Sequence, residues 1–188
     1  GHGTACAGVA AAMTNTLGTA GIAAGCSIMP LKVANSAGSM VIHNGILDAK
    51  NGVTLISSDA VTVSANTVVS KGGSPVQGIS VDSSTGCWLV NNLAVGQLSG
   101  VKIQNAPSTG LHNNTIWDHF KGISVKNSGS VRLRNNIIQG DTAIDTDVAS
   151  EPSLDSEYND LGGATWLAVG ASVYPSLGSW QGAGHDTL

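Results

Sequence analysis

The sequence predicts an all-β protein built as a solenoid, in which the chain coils into stacked turns of short strands. Three observations carry this prediction. Asparagines recur at nearly constant intervals, apolar and polar residues alternate with a period of two between them, and a glycine or alanine opens a short strand in each repeat. Because one repeat is too short to bury its apolar side alone, neighbouring repeats must stack to form a core.

Six asparagines mark the repeat. They are Asn44, Asn66, Asn92, Asn114, Asn136 and Asn159, at intervals of 22, 26, 22, 22 and 23 residues. The long interval has a local cause, because the loop "SKGGSP" adds four residues between Asn66 and Gly78, which opens the next strand. The spacing therefore predicts about six turns of about 22 residues each.

The segments between the bends have the alternation of strands with one buried face. "VRLR" at 131–134 and "ISV" at 123–125 both alternate apolar with polar residues. Asparagine suits a bend because it tolerates left-handed backbone angles, and its amide can bond to the amides of adjacent turns. We therefore expect Asn92, Asn114 and Asn136 to stack as a ladder inside the coil.

Residues 40–188 resemble right-handed parallel β-helix proteins of the pectate lyase-like kind. The resemblance lies in the asparagine-bend repeats and in the tryptophan-containing tail "YPSLGSWQGAGHDTL". It implies a right-handed parallel β-helix whose turns stack about 4.8 Å apart. It also implies an extracellular protein, because relatives of this kind are exported and act on polysaccharides. We expect β-helix repeats over 39–161 and a terminal segment over 162–188.

The first 36 residues resemble a different family. "GHGTACAGVAAAMTNTLGTAGIAAGCSIMPLKV" is similar to the segment around the catalytic histidine of subtilases, which implies that His2 corresponds to that histidine. A triad also needs an aspartate, which precedes the histidine in subtilases, and a serine. Only Gly1 precedes His2, and the nearest echo of the serine motif, at 38–40, leads into the strand-like residues 41–42. We expect no complete triad.

We predict that residues 1–38 serve instead as an N-terminal cap. An open β-helix end exposes unpaired backbone groups and apolar side chains, which solenoids cover with a terminal element. The alanine-rich stretch 3–14 favours an α-helix, and "SIMPLKV" favours an edge strand because Pro30 cannot donate to a central ladder. His2 is expected near the surface.

Composition narrows the range of partners. Only 11% of the 188 residues are charged and the formal net charge is −4, so we expect neither nucleic acid nor an anionic membrane as partner. No apolar stretch reaches the roughly 20 residues of a membrane span, and no signal peptide is recognisable. Cys6, Cys26 and Cys87 have small apolar neighbours, which favours buried thiols, although a bridge between Cys6 and Cys26 stays open.

The repeat register predicts which side chains share an outer face. Four residues before each bend asparagine stand Met40, Thr62, Trp88, Gly110, Arg132 and Asp155, and two before it stand Ile42, Ser64, Val90, His112, Arg134 and Glu157. We predict substrate binding by Trp88, His112, Arg132, Arg134 and Glu157, with the indole beside a side-chain gap at Gly110. An aromatic face stacks on a pyranose and arginines pair with uronate carboxylates, so the expected partner is an acidic polysaccharide. The alternative interpretation is a solvated ladder of surface ion pairs.

Two further groups of residues each allow a functional and a simpler structural interpretation. Asp141, Asp145, Asp147 and Asp155 form the densest acidic cluster, which is either a Ca²⁺ site or an exposed acidic loop, and no cofactor is otherwise expected. His119, near Lys121, is either an acid–base group or part of an ordinary exposed loop.

Function is narrowed to two classes and a distant third. The favoured class is a non-catalytic β-helix module, structural or polysaccharide-binding, because the clear repeats contain a single short insertion. Lyases and uronan epimerases of this fold, the alternative, usually build groove walls from long insertions between turns. A serine peptidase fragment comes third, because the triad is incomplete.

Overall fold

A computed structural model describes residues 38–48, 51–70, 77–170 and 172–182. This part of the chain forms six turns of parallel strands, as the repeat predicts. The predicted cap helix, the "SIMPLKV" strand, His2, Cys6 and Cys26 lie outside the described residues, as does the loop 71–76.

Short parallel strands form two sheets. The six-stranded sheet takes one strand from each turn: β1 (Met40–Ile42), β4 (Thr62–Ser64), β7 (Trp88–Val90), β10 (Gly110–His112), β12 (Arg132–Arg134) and β14 (Asp155–Glu157). The eleven-stranded sheet contains β2 (Gly45–Leu47), β3 (Asn51–Ile56), β5 (Thr67–Val69), β6 (Gln77–Asp82), β8 (Leu93–Val95), β9 (Ser99–Gln104), β11 (Thr115–Lys126), β13 (Ile137–Thr146), β15 (Asp160–Gly162), β16 (Thr165–Val169) and β17 (Ser172–Tyr174).

The core is built from aligned columns of inward side chains. In the six-stranded sheet the central residue of each strand is buried: Val41, Val63, Leu89, Leu111, Leu133 and Ser156. In the other sheet a second buried column contains Val53, Ile79, Val101, Ile123, Ile144 and Leu167. The period-two alternation predicted from the sequence is confirmed.

The asparagine ladder is confirmed and extends over all six turns. The side-chain amide of Asn92 donates to Oδ1 of Asn114 at 2.9 Å, and that of Asn114 donates to Oδ1 of Asn136 at 3.0 Å. The same contact joins Asn44 to Asn66, Asn66 to Asn92, and Asn136 to Asn159. Each of these oxygens also accepts the backbone N–H of the preceding asparagine.

The expected reason for asparagine at the bend was wrong in one respect. The left-handed residue is the one before each ladder asparagine, as at Asn91 (φ 55), Asn113 (φ 57) and Asn135 (φ 54). The ladder asparagine is selected for its hydrogen bonds, which satisfy backbone groups that the bend removes from the strands.

A second row of polar side chains, which the sequence analysis missed, supports the bend after the longer strands. The hydroxyl of Ser84 accepts the N–H of Ser58 at 3.0 Å, and the hydroxyl of Ser150 accepts the N–H of Ser128 at 2.9 Å. Ala106 interrupts the row because it has no hydroxyl to offer. The available sequence signal is a serine two residues after the strand for Ser58, Ser84 and Ser128, and four residues after it for Ser150, but serine is common in loops.

The insertion leaves the register of the coil unchanged. Seven residues separate β5 from β6, whereas three separate β8 from β9. The strands on either side still pair in parallel, with Val69 opposite Val95 and Gln77 opposite Ser99. The strands that flank the insertion therefore keep the register of the other turns.

The coil ends with a change of strand direction. Strand β17 pairs with β16 in antiparallel orientation, and the short helix α1 (Leu177–Gly182) follows. Trp180 of this helix is fully buried. No helix among the described residues has the length and apolarity required to cross a membrane.

Candidate functional site

The predicted outer columns of the six-stranded sheet are in register. Trp88, Gly110 and Arg132 are aligned on adjacent strands, as are Val90, His112 and Arg134. Asp155 and Glu157 follow on the next strand, opposite Arg132 and Arg134. All five residues predicted from the sequence to bind substrate therefore lie on one outer face.

The indole of Trp88 lies in the gap left by Gly110. A methyl group at Gly110 would meet Cε3 and Cζ3 of Trp88 at 2.5 Å, so the six-membered ring covers this glycine. His112 packs against the indole in a T-shaped arrangement with ring centroids 5.1 Å apart. Trp88 stays 38% exposed and, with Gly110 and Arg132, lines an open pocket of about 260 Å³.

The two arginines of this face have different surroundings. Arg134 is engaged by both carboxylates, because it donates to the two oxygens of Asp155 at 2.9 and 2.8 Å and also pairs with Glu157. Arg132 reaches Asp155 only at 4.0 Å, and 61% of its side chain is exposed. The formal charges of the two arginines and the two carboxylates sum to zero, but the guanidinium of Arg132 projects into solvent next to the pocket.

The acidic cluster of the sequence does not form one site in the described structure. Asp145 pairs with Lys121 at 2.8 Å and Lys126 at 3.1 Å. Asp147 accepts the backbone N–H groups of Asn127 and Ser150, both at 2.8 Å. Together with the pairing of Asp155 with arginine, these contacts direct the carboxylates to different partners. Over the described ranges, no three His, Cys, Asp or Glu side chains are arranged to hold a metal ion.

The pKa values of these carboxyl groups reflect their partners. Burial by itself raises the pKa of Asp145, but the two lysines outweigh it, so the pKa lies below its usual value. The same balance holds for Asp147, where hydrogen bonds from Ser150 and Asn127 outweigh burial and lower the pKa.

Cys87 is a buried thiol, as predicted for this position. Its Sγ donates to the carbonyl of Ser58 at 3.1 Å, and burial raises the pKa of the thiol. This cysteine is therefore protonated at neutral pH and acts as a small core residue.

His119 is buried and structural, so both interpretations offered from the sequence were wrong. Its ring is 4% exposed, its Nε2 donates to the carbonyl of Ala94 at 3.0 Å, and its Nδ1 accepts the N–H of Gln97 at 3.1 Å. Gln97 fills the equivalent place one turn earlier and donates to the carbonyl of Val68 at 3.2 Å. Because both ring nitrogens bond to backbone, this imidazole is not available for proton transfer.

Stability should fall as the pH drops below 6.5 because of His119. Burial lowers its pKa from the ordinary 6.5, although the nearby carbonyl oxygens of Ala94 and Gln97 and the charge of Asp118 favour the protonated ring. The unfolded chain therefore binds this proton first, so stability is fully present above pH 6.5 and decreases below it, by up to about 1.4 kcal/mol per pH unit.

His119→Gln should remove this dependence, because glutamine keeps a donor and an acceptor at this place without titrating. The measurement is the urea midpoint from pH 8 to 5, where the two proteins should differ in slope only on the acidic side. Identical slopes for the two proteins would contradict a neutral buried imidazole.

Comparison with known proteins agrees with this architecture. A family model described as "Right handed beta helix region" matches residues 31–172. No curated protein matches the chain. The resemblance of residues 1–36 to subtilases stays a prediction.

Proposed function

The chain belongs to the right-handed β-helix family, and we propose that it acts as a non-catalytic module that binds polysaccharide on the outer face of the six-stranded sheet. The observation that carries the proposal is the exposed indole of Trp88, held over Gly110 by His112, with Arg132 on the same pocket. Aromatic rings provide an apolar platform for a sugar ring, and a guanidinium pairs with a carboxylate.

The spacing of these groups suits a polymer that runs along the stack of turns. The backbones of Trp88 and Arg132 lie in one column two strands apart, which corresponds to about 10 Å. The indole of Trp88 extends over Gly110, the residue between them, and therefore reaches toward Arg132. A sugar ring on the indole and the carboxylate of a nearby uronate at Arg132 can therefore belong to one chain.

Arg134 and Glu157 contribute indirectly to this surface. Arg134 holds both neighbouring carboxylates, so less negative charge is left to repel an acidic polymer at Arg132. The ring of His112 packs against the indole of Trp88 and supports its orientation. These residues position the surface, while Trp88 and Arg132 make the direct contacts.

A binding role is favoured over lyase or epimerase chemistry because the other candidate bases are engaged, while Arg132, which is exposed, is assigned to ligand binding. Arg134 is held by two carboxylates, and Lys121 and Lys126 both pair with Asp145. Both nitrogens of His119 bond to backbone. A base for proton abstraction from a uronate must instead be free to reach its substrate.

Calorimetric titration with oligogalacturonate and oligomeric alginate tests the proposal. Trp88→Ala and Arg132→Ala should each weaken binding about tenfold, because each removes one direct contact with the ligand. Arg134→Ala should also weaken it, because Asp155 and Glu157 lose their partner and repel the polymer.

Two matched control substitutions are in the eleven-stranded sheet. Trp117→Ala removes an indole of similar exposure, and Lys102→Ala removes a cation from an outer column of that sheet. Neither should change binding of the acidic oligomers. Equal losses in all variants, or no binding by the unaltered protein, would rule out this face and leave a structural module.

A further inference from the structure

A second open pocket lies on the eleven-stranded sheet, away from the Trp88 face. Trp117, Asp118, Gln139, Asp141 and backbone at Gly163 line a volume of about 230 Å³. The pocket is created by a bulge, because Trp117 and Asp118 together stand opposite the single residue Gln139. Trp117 is 47% exposed at its rim.

The backbone at this place is specialised. Asp118 has a left-handed conformation, with φ of 60°. Gly140 and Gly163 also line the pocket. A methyl group at Gly140 would meet the carbonyl oxygen of His119 at 2.5 Å, and Gly163 has a φ of 135°, which favours glycine. Glycine is required at these two positions because successive turns approach closely there.

The charge of the pocket is negative. Neither Asp118 nor Asp141 forms an ion pair within the part of the chain that the structure describes, unlike Asp145 and Asp155, which pair with lysine and arginine. Two exposed carboxylates beside an indole favour a cation, through charge and through the π-face of the ring. A bare metal ion is a poor match, because no third ligand of the usual kind joins them among the described residues.

We propose that this pocket binds a sugar unit carrying a protonated amine. The pyranose ring stacks on Trp117, the ammonium group lies between Asp118 and Asp141, and the amide of Gln139 bonds to a hydroxyl group. An amino sugar makes these contacts from one rigid unit, whereas a lysine side chain loses the freedom of four rotatable bonds on binding. This proposal does not depend on the function assigned to the Trp88 face.

The test is calorimetric titration of the full chain with the trisaccharide of glucosamine and with its N-acetylated counterpart, at low salt and at a pH where the amine is protonated. The glucosamine trisaccharide should bind at least about tenfold more tightly, because acetylation removes the charge. Added salt should weaken its binding.

Three variants define the site. Asp118→Asn and Asp141→Asn should each weaken binding of the glucosamine trisaccharide about tenfold, and Trp117→Ala should do the same. Both asparagine variants should fold normally, because Asn tolerates the left-handed conformation of residue 118 and residue 141 is exposed.

Two controls separate this site from other effects. Asp48→Asn makes the same change at the corresponding corner three turns away, where φ is 54°, and should leave binding unchanged. Trp88→Ala should also leave it unchanged, so failure at one face is distinguishable from failure at the other. Equal binding of the acetylated sugar, insensitivity to both asparagine variants, or binding of lysine peptides in preference to the sugar would overturn the proposal.

Discussion

Replacing Asn114 with alanine should lower the free energy of unfolding by about 3 kcal/mol. The side chain is 2% exposed and takes part in four hydrogen bonds: it donates to Leu89 and Asn136, and its oxygen accepts two from Asn92. Truncation leaves the carbonyl of Leu89 and two N–H groups of Asn92 buried without these partners. Each such group costs about 1–3 kcal/mol.

Asn44→Ala is the matched control for this measurement by urea unfolding. Asn44 stands in the same column but is exposed, and water can replace the hydrogen bonds of its side chain. Its loss should cost less than about 1 kcal/mol. Equal effects of the two substitutions would contradict a ladder whose strength comes from burial.

Gly122→Ala should destabilise the protein by about 3 kcal/mol, through overpacking. A methyl group on Gly122 would meet Cγ2 of Ile138 and would lie 2.6 Å from the carbonyl oxygen of Ala143, both in the next turn. The backbone oxygen cannot move without disturbing the parallel pairing of β11 with β13. The substitution should also broaden the unfolding transition if the turns separate locally.

Gly45→Ala provides the comparison in another strand of the same sheet. No atom lies within 4 Å of a methyl group at Gly45, so this substitution should stay within about 0.5 kcal/mol of the unaltered protein. If both glycine variants had similar unfolding midpoints, the close approach of successive turns at Gly122 would be wrong.

The sequence was sufficient for the register because the repeat is carried by residues with few alternatives. Asparagine intervals placed every strand of the six-stranded sheet, and the glycine column follows the same spacing. The members of that column are Gly52, Gly78, Gly100 and Gly122. A methyl group added at these positions would contact side chains of the following turns, which are Val68, Ala94, Ile116 and Ile138 in the same order. A side chain at one of these places would occupy the space of the next turn, so glycine recurs with the same period as asparagine.

Features that depend on contacts between turns were not predictable in this way. The bulge at Trp117 and Asp118 shifts the local register by one residue and turns the side chain of His119 inward. An alternation of inward and outward residues that continued without a bulge places His119 on the outer face, so the sequence pattern does not indicate the bulge. The serine row was missed for a related reason, because a serine near a bend has the same composition signal whether it accepts a neighbouring N–H or faces water.

The candidate site was predictable as a set of positions but not as a set of interactions. Spacing alone brought Trp88 next to Gly110 and aligned the arginines with the acidic residues. The spacing does not predict that Asp155 and Glu157 both pair with Arg134 and leave Arg132 exposed. Long charged side chains have several possible partners of similar energy, so the pairing depends on the folded structure.

The most direct test of the central claim, binding without chemistry, combines two readouts in one incubation. Fluorescently labelled uronate oligomers of defined length are mixed with the full chain and passed over a size-exclusion column, and the recovered sugar is then analysed for length and for the ultraviolet absorbance of an unsaturated uronate. We expect the oligomers to elute with the protein at their original length and without new absorbance, and Trp88→Ala to reduce the co-elution. Unsaturated sugars would identify a lyase, shortened sugars without the new absorbance would identify a hydrolase, and failure to co-elute would contradict polysaccharide binding by this chain.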